Sequence, residues 1–225
     1  MTFQKKWAFF ISLMVIMTIG GCASGQKEPE KSFRLEKPRI APLAESEWSE
    51  RQRNLLEPFK RTDGSVINVT ATIARHPDLF EKFMPFASYI FGEQALPARD
   101  REMLILRIGW LCQAKYEFGQ HTLAGKEVGL SDEEILRITR GPDEPGWSEF
   151  DRALIRAADE LYHDAVISDV TWNTLSQRYD EKQLMDVVFT IGQYNLASWI
   201  LNSFGVQLEK GVPGFPEGSE QEKTP

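Results

Sequence analysis

A glutamate and a histidine one helical turn apart are the first candidates for chemistry in this sequence. Glu117 and His121 are four residues apart, so on a helix their side chains share a face. A carboxylate beside an imidazole can raise the histidine pKa and orient the ring, as a proton-transfer pair requires. Gly119 between them removes a side chain and would let another helix or a ligand approach closely. The same spacing also suits an ordinary ion pair on a solvated face.

Glu102 is the second unusual charged residue, because it leads directly into the almost wholly apolar run 103–111. A carboxylate that enters a buried helix must be paired, capped or protonated, since unpaired burial is costly. Partial burial would raise its pKa toward the range used in general acid–base catalysis. Arg107, inside the same run, is a candidate partner. Alternatively, Glu102 is a first-turn residue favoured by the helix dipole, with its carboxylate in water.

The two other histidines and Cys112 have structural interpretations. His76 precedes a proline at a junction between predicted helices, which is typical of a turn or cap residue. His163 lies at the end of a predicted helix, where a cation interacts favourably with the dipole. Cys112 follows a tryptophan and a leucine, which indicates a buried, inert thiol without a resolving cysteine nearby.

The N-terminus has the organisation of an export signal. Two lysines at positions 5 and 6 precede the apolar stretch 7–19, and the letters IGGC follow at positions 19–22. The stretch suits a signal-peptide core and is shorter than the roughly 20 apolar residues of a membrane span. Its end resembles the lipobox of bacterial lipoproteins. We therefore predict that residues 1–21 are removed and that a lipid is attached to Cys22; an uncleaved anchor helix is the alternative.

This signal predicts a lipid-anchored protein of the cell envelope that faces the periplasm or the exterior. Ala23, directly after the predicted lipid site, resembles the residue found in cargo sent to the outer membrane where a host has two membranes. Residues 22–37 are polar and charged, so we predict a flexible linker. Residues 211–225 contain three prolines and three glycines, so we predict a flexible tail.

The charge balance and the cysteine count narrow the function classes. Removing residues 1–21 would leave 24 basic and 33 acidic residues, a net charge of −9. This acidic balance disfavours a nucleic-acid partner or a polybasic membrane surface. Cys112 would be the only thiol not committed to lipid, so the mature chain could form no internal disulfide.

The residues between the linker and the tail must position these side chains, and their pattern predicts helices with almost no strand. We therefore predict a single all-α domain over residues 38–210, with eight or nine helices. Serines and aspartates that can cap helices mark several starts, as in the capping box Ser131–Glu134. The predicted helices run over about 46–59, 64–75, 78–91, 97–111, 115–128 and 131–140, from 148 and from 168, and over 180–204.

The last of these helices, 180–204, is apolar almost all round. Such a helix lies in the centre of a core or is buried against another subunit. Its aromatic residues, Phe189, Tyr194, Trp199 and Phe204, are typical of core positions. Polar residues at positions 193, 195 and 202 argue against a membrane span. We favour an oligomeric interface at this helix.

The segments 101–111 and 112–121 resemble the carboxymuconolactone decarboxylase family, whose superfamily includes the AhpD-type alkylhydroperoxidases. The resemblance continues through 129–135 and 159–161 and covers roughly residues 40–210. The redox branch carries a glutamate, eleven residues, a cysteine, two residues, a second cysteine, three residues and a histidine. The resemblance implies an all-helical domain that usually forms trimers or hexamers.

In this register the glutamate falls at Glu102 and the histidine at His121. The two cysteine positions are occupied by Ala114 and Glu117, and Cys112 is two residues out of register. A dithiol cycle needs two sulfurs, so peroxide reduction by that route is unsupported. The resemblance therefore retains the glutamate and the histidine, which can perform acid–base chemistry without the sulfurs.

The resemblance implies a cofactor-free and metal-free enzyme that transfers protons on a small organic acid or lactone. His121 would transfer the proton, with Glu102 as a buried acid or base and Glu117 orienting the imidazole. Tyr116 would donate a hydrogen bond to a developing enolate oxygen. Two alternatives stay open: an AhpD-like thiol peroxidase, and a non-catalytic envelope protein that uses the helical core for assembly or binding.

Overall fold

Nine α-helices and no β-strand occur between residues 35 and 219, the residues that the computed structural model describes. The all-α prediction is therefore confirmed. A five-residue π-helical turn, Tyr89–Glu93, follows the third helix. The helices are α1 (Glu50–Leu56), α2 (Asn68–Ile73), α3 (Pro77–Ser88), α4 (Ala98–Leu111), α5 (Lys115–Glu127), α6 (Asp132–Arg140), α7 (Glu149–Asp164), α8 (Asp169–Ser176) and α9 (Glu181–Phe204).

Side-chain caps account for where six of these helices begin. Each cap accepts a hydrogen bond from a backbone N–H in the first turn, which satisfies a donor that the helix itself leaves unpaired. The capping box predicted at Ser131 is confirmed, since its hydroxyl accepts from Glu134 N and its own N–H donates to the Glu134 carboxylate at 2.9 Å. The six caps are Ser49, His76, Ser131, Ser148, Ser168 and Asp180.

Helix α4 lies at the centre of the molecule and is buried on every side. Met103, Leu104, Ile105, Leu106 and Ile108 have no exposed surface. One face packs with α7, α8 and α9, and the other with α5 and α6. This arrangement explains the apolar run of α4, because a helix surrounded by other helices has no face for solvent. Any charged residue of α4 must therefore find its partner inside the protein.

Helix α9 buries one face against α4 and exposes an apolar second face. The buried face includes Leu184, Val187, Ile191 and Leu201. The exposed face includes four large apolar side chains, Met185, Phe189, Leu196 and Trp199, which are 41–58% exposed. The all-round apolar character of α9 thus has two sources, a core face and an uncovered face. Between residues 35 and 219, no helix is both long and apolar enough to cross a membrane.

The C-terminal residues differ from the predicted loose tail. Residues 206–216, here called the C-terminal strap, lie along α5, and the Phe215 ring packs 5.0 Å from Trp110 and 5.3 Å from Phe118. The sequence predicted a loose tail because the segment is rich in proline and glycine, but the Phe215 side chain anchors it to the helical domain. The predicted signal, the lipid site Cys22 and most of the predicted linker lie outside the described residues, as do residues 220–225.

Candidate active site

A tight turn between α4 and α5 positions the candidate site. The turn comprises residues 112–114, and Gln113 within it has a left-handed φ of 51°. Helix α5 lies close to α4 at Gly109, where an added β-carbon would make ordinary van der Waals contact at 3.6 Å with Glu117 Cγ and with the Phe118 nitrogen. The hairpin of helices that results places Glu102, near the start of α4, beside His121 of α5.

Glu102, His121 and Glu117 form a continuous chain of polar contacts. The Nδ1 atom of His121 lies 2.6 Å from Glu102 Oε2, and its Nε2 atom lies 3.0 Å from Glu117 Oε1. The structure thus brings together three of the predicted site residues. The contact between Glu117 and His121 is the predicted i,i+4 pair, but it lies inside the protein and not on a solvated face, since both residues are 6% exposed.

The two carboxylates determine the charge of the imidazole between them. Burial alone would lower the pKa of His121, but hydrogen bonds and charge interactions with Glu102 and Glu117 outweigh it and raise that pKa to about 10. Burial would raise the pKa of Glu102, but His121 and Arg101 hold it below its ordinary value. At neutral pH His121 is therefore an imidazolium, and both of its ring nitrogens donate, one to Glu102 and one to Glu117.

Arg101 and Phe91 complete the side of the site that faces the surface. The Nε atom of Arg101 donates to Glu102 Oε1 at 3.1 Å, so both oxygens of the fully buried Glu102 are bound. The guanidinium lies 5.6 Å from the Phe91 ring, and that ring lies edge-on to His121 at 6.2 Å. Phe91 belongs to the π-helical turn, an irregularity that is common at functional sites, and is 52% exposed.

Tyr194 is a member of the site that the sequence analysis assigned to the core. Its ring lies edge-on to His121, with centroids 4.9 Å apart. A signal for it exists in α9, where Asp186, Thr190, Tyr194 and Ser198 recur every fourth residue and are all buried. A buried polar stripe in an otherwise apolar helix indicates contact with polar groups elsewhere in the protein.

Tyr116 does not join this group. Its hydroxyl donates to Glu209 of the C-terminal strap at 2.8 Å and accepts from the Val69 nitrogen at 3.4 Å. Glu209 also accepts from the Gln120 amide. The structure therefore does not support a role for Tyr116 beside a reacting substrate, and shows instead that it fastens the strap to α5.

The gap left by Gly119 is filled by the protein itself. A β-carbon at this position would collide with the Pro213 carbonyl oxygen and lie 3.0 Å from Leu208 Cδ2. The close approach expected at Gly119 does occur, but its occupant is the C-terminal strap and not a ligand or another helix.

Arg107 is not the partner of Glu102. Its guanidinium binds Asp159 of α7 through two contacts of 2.5 and 2.9 Å, and donates to the carbonyl oxygens of Ile138 and Thr139 at the end of α6. Arg107 does pair with a carboxylate, as predicted, but the carboxylate is that of Asp159 and not that of Glu102. Arg107 lies five residues after Glu102 and so points to a different side of α4.

The other candidate residues have the structural positions predicted for them. His76 caps α3, with its Nδ1 atom accepting from the Leu79 nitrogen at 3.3 Å. His163 lies in the last turn of α7. Cys112 is buried after the end of α4, where its Sγ atom lies 3.0 Å from the Asn195 side-chain oxygen.

Two surface cavities lie away from Glu102, His121 and Glu117. One, of about 200 Å³, lies between α7 and α9 and is lined by residues such as Leu161, Val188 and Asn195. The other, of about 550 Å³, lies between α6 and the C-terminal strap. Within residues 35–219, no cluster of three or more His, Cys, Asp or Glu side chains could hold a metal ion. The chain Glu102–His121–Glu117 is instead buried behind Phe91.

Comparison with known proteins agrees with the fold. Residues 77–160 match the model of the carboxymuconolactone decarboxylase family. A peroxidase-related protein with an AhpD core from Ralstonia eutropha JMP134 is 16% identical, with a TM-score of 0.67 over 76% of this chain and 93% of that one. A peroxidase-related protein from Silicibacter sp. TM1040 is 15% identical, with a TM-score of 0.63 over 84% and 97%.

A third similar structure is a debrominase in complex with 2,3,4-tribromopyrrole, which is 14% identical, with a TM-score of 0.61 over 78% of this chain and 94% of that one. A search of curated proteins finds no significant match. At these identities the solved structures establish a shared AhpD-like fold and nothing about activity.

Proposed function

We propose that this chain, which carries a carboxymuconolactone decarboxylase family segment at residues 77–160 on an AhpD-like fold, is a cofactor-free enzyme that transfers protons on a small organic acid or lactone. One observation carries the proposal: a histidine held between two carboxylates inside the protein, beside an exposed aromatic ring. Burial of three coupled ionisable groups is costly for stability, and such groups are common where a protein performs acid–base chemistry.

The contacts favour a division of roles that differs from the one implied by the family resemblance. Glu102 is fully buried and both of its oxygens are bound, so it anchors the imidazolium and cannot reach a substrate. His121 is already protonated at neutral pH and cannot accept another proton. Glu117 has one oxygen on His121, and its other oxygen makes no hydrogen bond with any residue of 35–219. We therefore assign the base to Glu117.

The proposed reaction begins with a carbon acid whose C–H bond lies next to a carbonyl. The proton passes to the Glu117 carboxylate, and the electron pair of the C–H bond moves to the carbonyl oxygen as an enolate. Protonated Glu117 then returns the proton to another carbon, which is an isomerisation. For a substrate that loses a carboxylate, the C–C bond to that group breaks, carbon dioxide leaves, the electron pair stays on the carbon, and the resulting carbanion takes a proton from solvent. A positioned base of this kind commonly contributes about 10²–10⁴-fold.

Isotope exchange tests the proposal without knowledge of the natural substrate. Full-length protein in detergent is incubated in D₂O with a panel of simple lactones and keto acids, and deuterium incorporation is followed by NMR. We expect incorporation that Glu117→Gln abolishes. Folded protein that exchanges no panel member, or a Glu117→Gln variant that exchanges as fast as the wild type, would count against the enzyme and favour the non-catalytic binding protein.

A thiol peroxidase is not favoured by the site. The two cysteine positions of the redox branch are Ala114 and Glu117, and the second places a carboxylate where that branch has the sulfur nearest the histidine. The solved structures described as peroxidase-related share the fold at 15–16% identity, which does not extend their activity to this chain.

The uncovered face of α9 supports the proposal of a homo-oligomer, a trimer or hexamer. Met185, Phe189 and Trp199 are each at least half exposed, and the Phe189 ring lies 6.1 Å from that of Phe86. Isolated proteins seldom leave such aromatic clusters uncovered. Light scattering on the full-length protein in detergent should give a trimer or a larger assembly, and a monomer would contradict an interface here.

The proposed location is the cell envelope, with a lipid at Cys22 as the link to the membrane. The support is the export signal and its IGGC ending, both in the sequence alone. Cys22→Ser should abolish incorporation of labelled fatty acid, whereas unchanged labelling would show that the lipid is attached elsewhere.

A further inference from the structure

The hydroxyl of Tyr194 differs from those of the other deeply buried tyrosines. Tyr116 and Tyr179 donate to Glu209 and Asp100 at 2.8 and 2.6 Å. Tyr194 is 7% exposed, yet its hydroxyl makes no hydrogen bond with any residue of 35–219. The hydroxyl oxygen is not fully enclosed, so a small ligand can reach it. Its ring lies edge-on to the His121 ring, with centroids 4.9 Å apart, which places this tyrosine beside the chain that would transfer the proton.

The hydroxyl is also near charged groups of the site. Burial raises the pKa of Tyr194 well above its ordinary value, the carboxylates of Glu117 and Glu102 raise it further, and Arg101 acts in the opposite direction. The phenol is therefore neutral and keeps its proton, so it can donate a hydrogen bond but cannot carry charge.

Arg101, like Tyr194, has hydrogen-bond donors that no residue of 35–219 accepts from. Its Nε atom is bound to Glu102, whereas its two terminal nitrogens make no hydrogen bond or ion pair with the residues of 35–219. Arg107 and Arg99, also on α4, use both terminal nitrogens on protein oxygens. A guanidinium is always charged and its nitrogens suit a negatively charged oxygen.

The net charge of the site indicates that these donors suit a substrate oxygen that becomes negatively charged. With His121 protonated, the chain Glu102–His121–Glu117 carries one net negative charge, and Arg101 neutralises it. When Glu117 takes a proton, that negative charge moves to the substrate. The total charge of the site is then unchanged only if the new anion is retained beside Arg101.

We propose that Tyr194 and Arg101 form an oxyanion site that binds the carbonyl oxygen of the substrate and stabilises it as an enolate. The inference rests on the proposed function and extends it, because it names two further residues and restricts the substrate to a carbonyl compound with an acidic neighbouring C–H. Tyr194 takes the role that the sequence analysis gave to Tyr116. Preorganised donors of this kind act most strongly on charge that develops during the reaction.

Binding of 4-nitrophenol tests this site without any turnover. Its phenolate is a flat, stable mimic of an enolate, and its absorbance distinguishes the phenol from the phenolate. Full-length protein in detergent should bind the phenolate in preference to 4-nitroanisole, which cannot ionise. Tyr194→Phe and Arg101→Gln should each weaken phenolate binding roughly 10- to 100-fold, the range for a hydrogen bond to a charged group.

Matched controls separate this loss from general damage. Tyr179→Phe also removes a buried hydroxyl, and Arg178→Gln also removes a guanidinium stacked on a phenylalanine, 4.5 Å from Phe150. Both should leave phenolate binding unchanged. If Arg101→Gln does not fold, Arg101→Lys keeps the charge but loses the paired nitrogens, and should still weaken binding.

Glu117→Gln distinguishes the oxyanion site from the proposed function. It should abolish isotope exchange but retain or strengthen phenolate binding, because it removes a negative charge near the bound anion. Phenolate binding without any exchange in the wild type would uphold the oxyanion site and reject the enzyme. The oxyanion site is rejected if the wild type shows no preference for the phenolate, or if folded Tyr194→Phe binds it as well as the wild type.

Discussion

Helix α4 carries two buried charged clusters that differ in how completely their hydrogen-bonding groups are used. The closed cluster consists of Arg107, Asp159 and the carbonyl oxygens of Ile138 and Thr139, and every guanidinium nitrogen in it donates to a protein oxygen. The open cluster consists of Glu102, Arg101, His121, Glu117 and Tyr194. It leaves a phenol, two guanidinium nitrogens and one carboxylate oxygen without a hydrogen bond among the described residues.

The closed cluster uses its charges to hold helices together, whereas the open cluster has groups available for chemistry. The closed cluster joins α4 to α6 and α7, and its groups have no capacity left for a ligand. The open cluster has hydrogen-bonding groups that the protein does not use and does not fully enclose, as suits a site where a ligand completes them. Burial alone would not distinguish them, since Arg107 and His121 are 7% and 6% exposed.

The largest effect should come from substitutions in the open cluster. His121→Ala and Glu102→Gln should each reduce isotope exchange roughly 10²–10⁴-fold, because Glu117 loses its charged partner. The double variant should be little worse than either single variant, since groups that act as a unit are strongly non-additive. Exchange rates are measured beside thermal melting. Full activity in folded His121→Ala would show that the open cluster is structural after all.

Substitutions in the closed cluster should lower the stability of the protein and leave phenolate binding unchanged. Arg107→Met leaves Asp159 without its cation, and breaking a buried pair commonly costs about 3–5 kcal/mol. Urea denaturation gives the stability, and 4-nitrophenol binding at low temperature gives the state of the site. A double variant, Arg107→Met with Asp159→Leu, should recover much of the loss. Weak phenolate binding in folded Arg107→Met would mean that the two clusters are coupled.

A smaller effect should appear in the pH dependence of stability. The pKa of His121 is raised from 6.5 to about 10 on folding, so its contribution is fully present below pH 6.5 and is lost as the pH rises toward 10. The pKa of Glu102 is lowered, so its contribution is present above its ordinary value of 4.5 and is lost as the pH falls through the lowered value. Urea denaturation of wild type and His121→Gln should therefore differ most between about pH 4.5 and 6.5 and least near pH 10. A constant difference across this range would contradict an imidazolium between two carboxylates.

The smallest effect is expected at Cys112, which belongs to neither cluster. Cys112→Ala should leave exchange and phenolate binding unchanged and cost about 1 kcal/mol of stability, as is usual for a single substitution. Its thiol lies beside Asn195 and outside the cysteine register of the redox branch. A peroxidase activity that disappears in folded Cys112→Ala would restore the antioxidant alternative.

The fold could be predicted largely because its signals are local. Ser131 with Glu134 and Asp180 with Gln183 mark helix starts within four residues, and the apolar run of α4 follows from complete burial. Glu102 and His121 were each identified from local patterns, but only the family register placed them in one site, because it encodes a contact between two helices that no local pattern contains.

The rest of the site depends on contacts distant in sequence. Tyr194 reaches His121 from α9, and Arg107 finds Asp159 on α7, so neither pairing could be read from neighbouring residues. The position of Tyr116 could have been anticipated from helical geometry. Adjacent helical residues point about 100° apart, so Tyr116 could not share the face of Glu117 and His121.

Because the C-terminal strap follows α5 in the chain, α5 is synthesised before the segment that covers it. Tyr116 and Glu209 are 93 residues apart in the chain. At typical synthesis rates, roughly 5–20 s pass between the appearance of the helix that carries His121 and that of the segment that covers it. During this interval the backbone at Gly119 and the Phe118 ring lack their cover of Pro213 and Phe215. A nascent chain that stalls before the strap emerges would therefore expose this helix to chaperones and proteases.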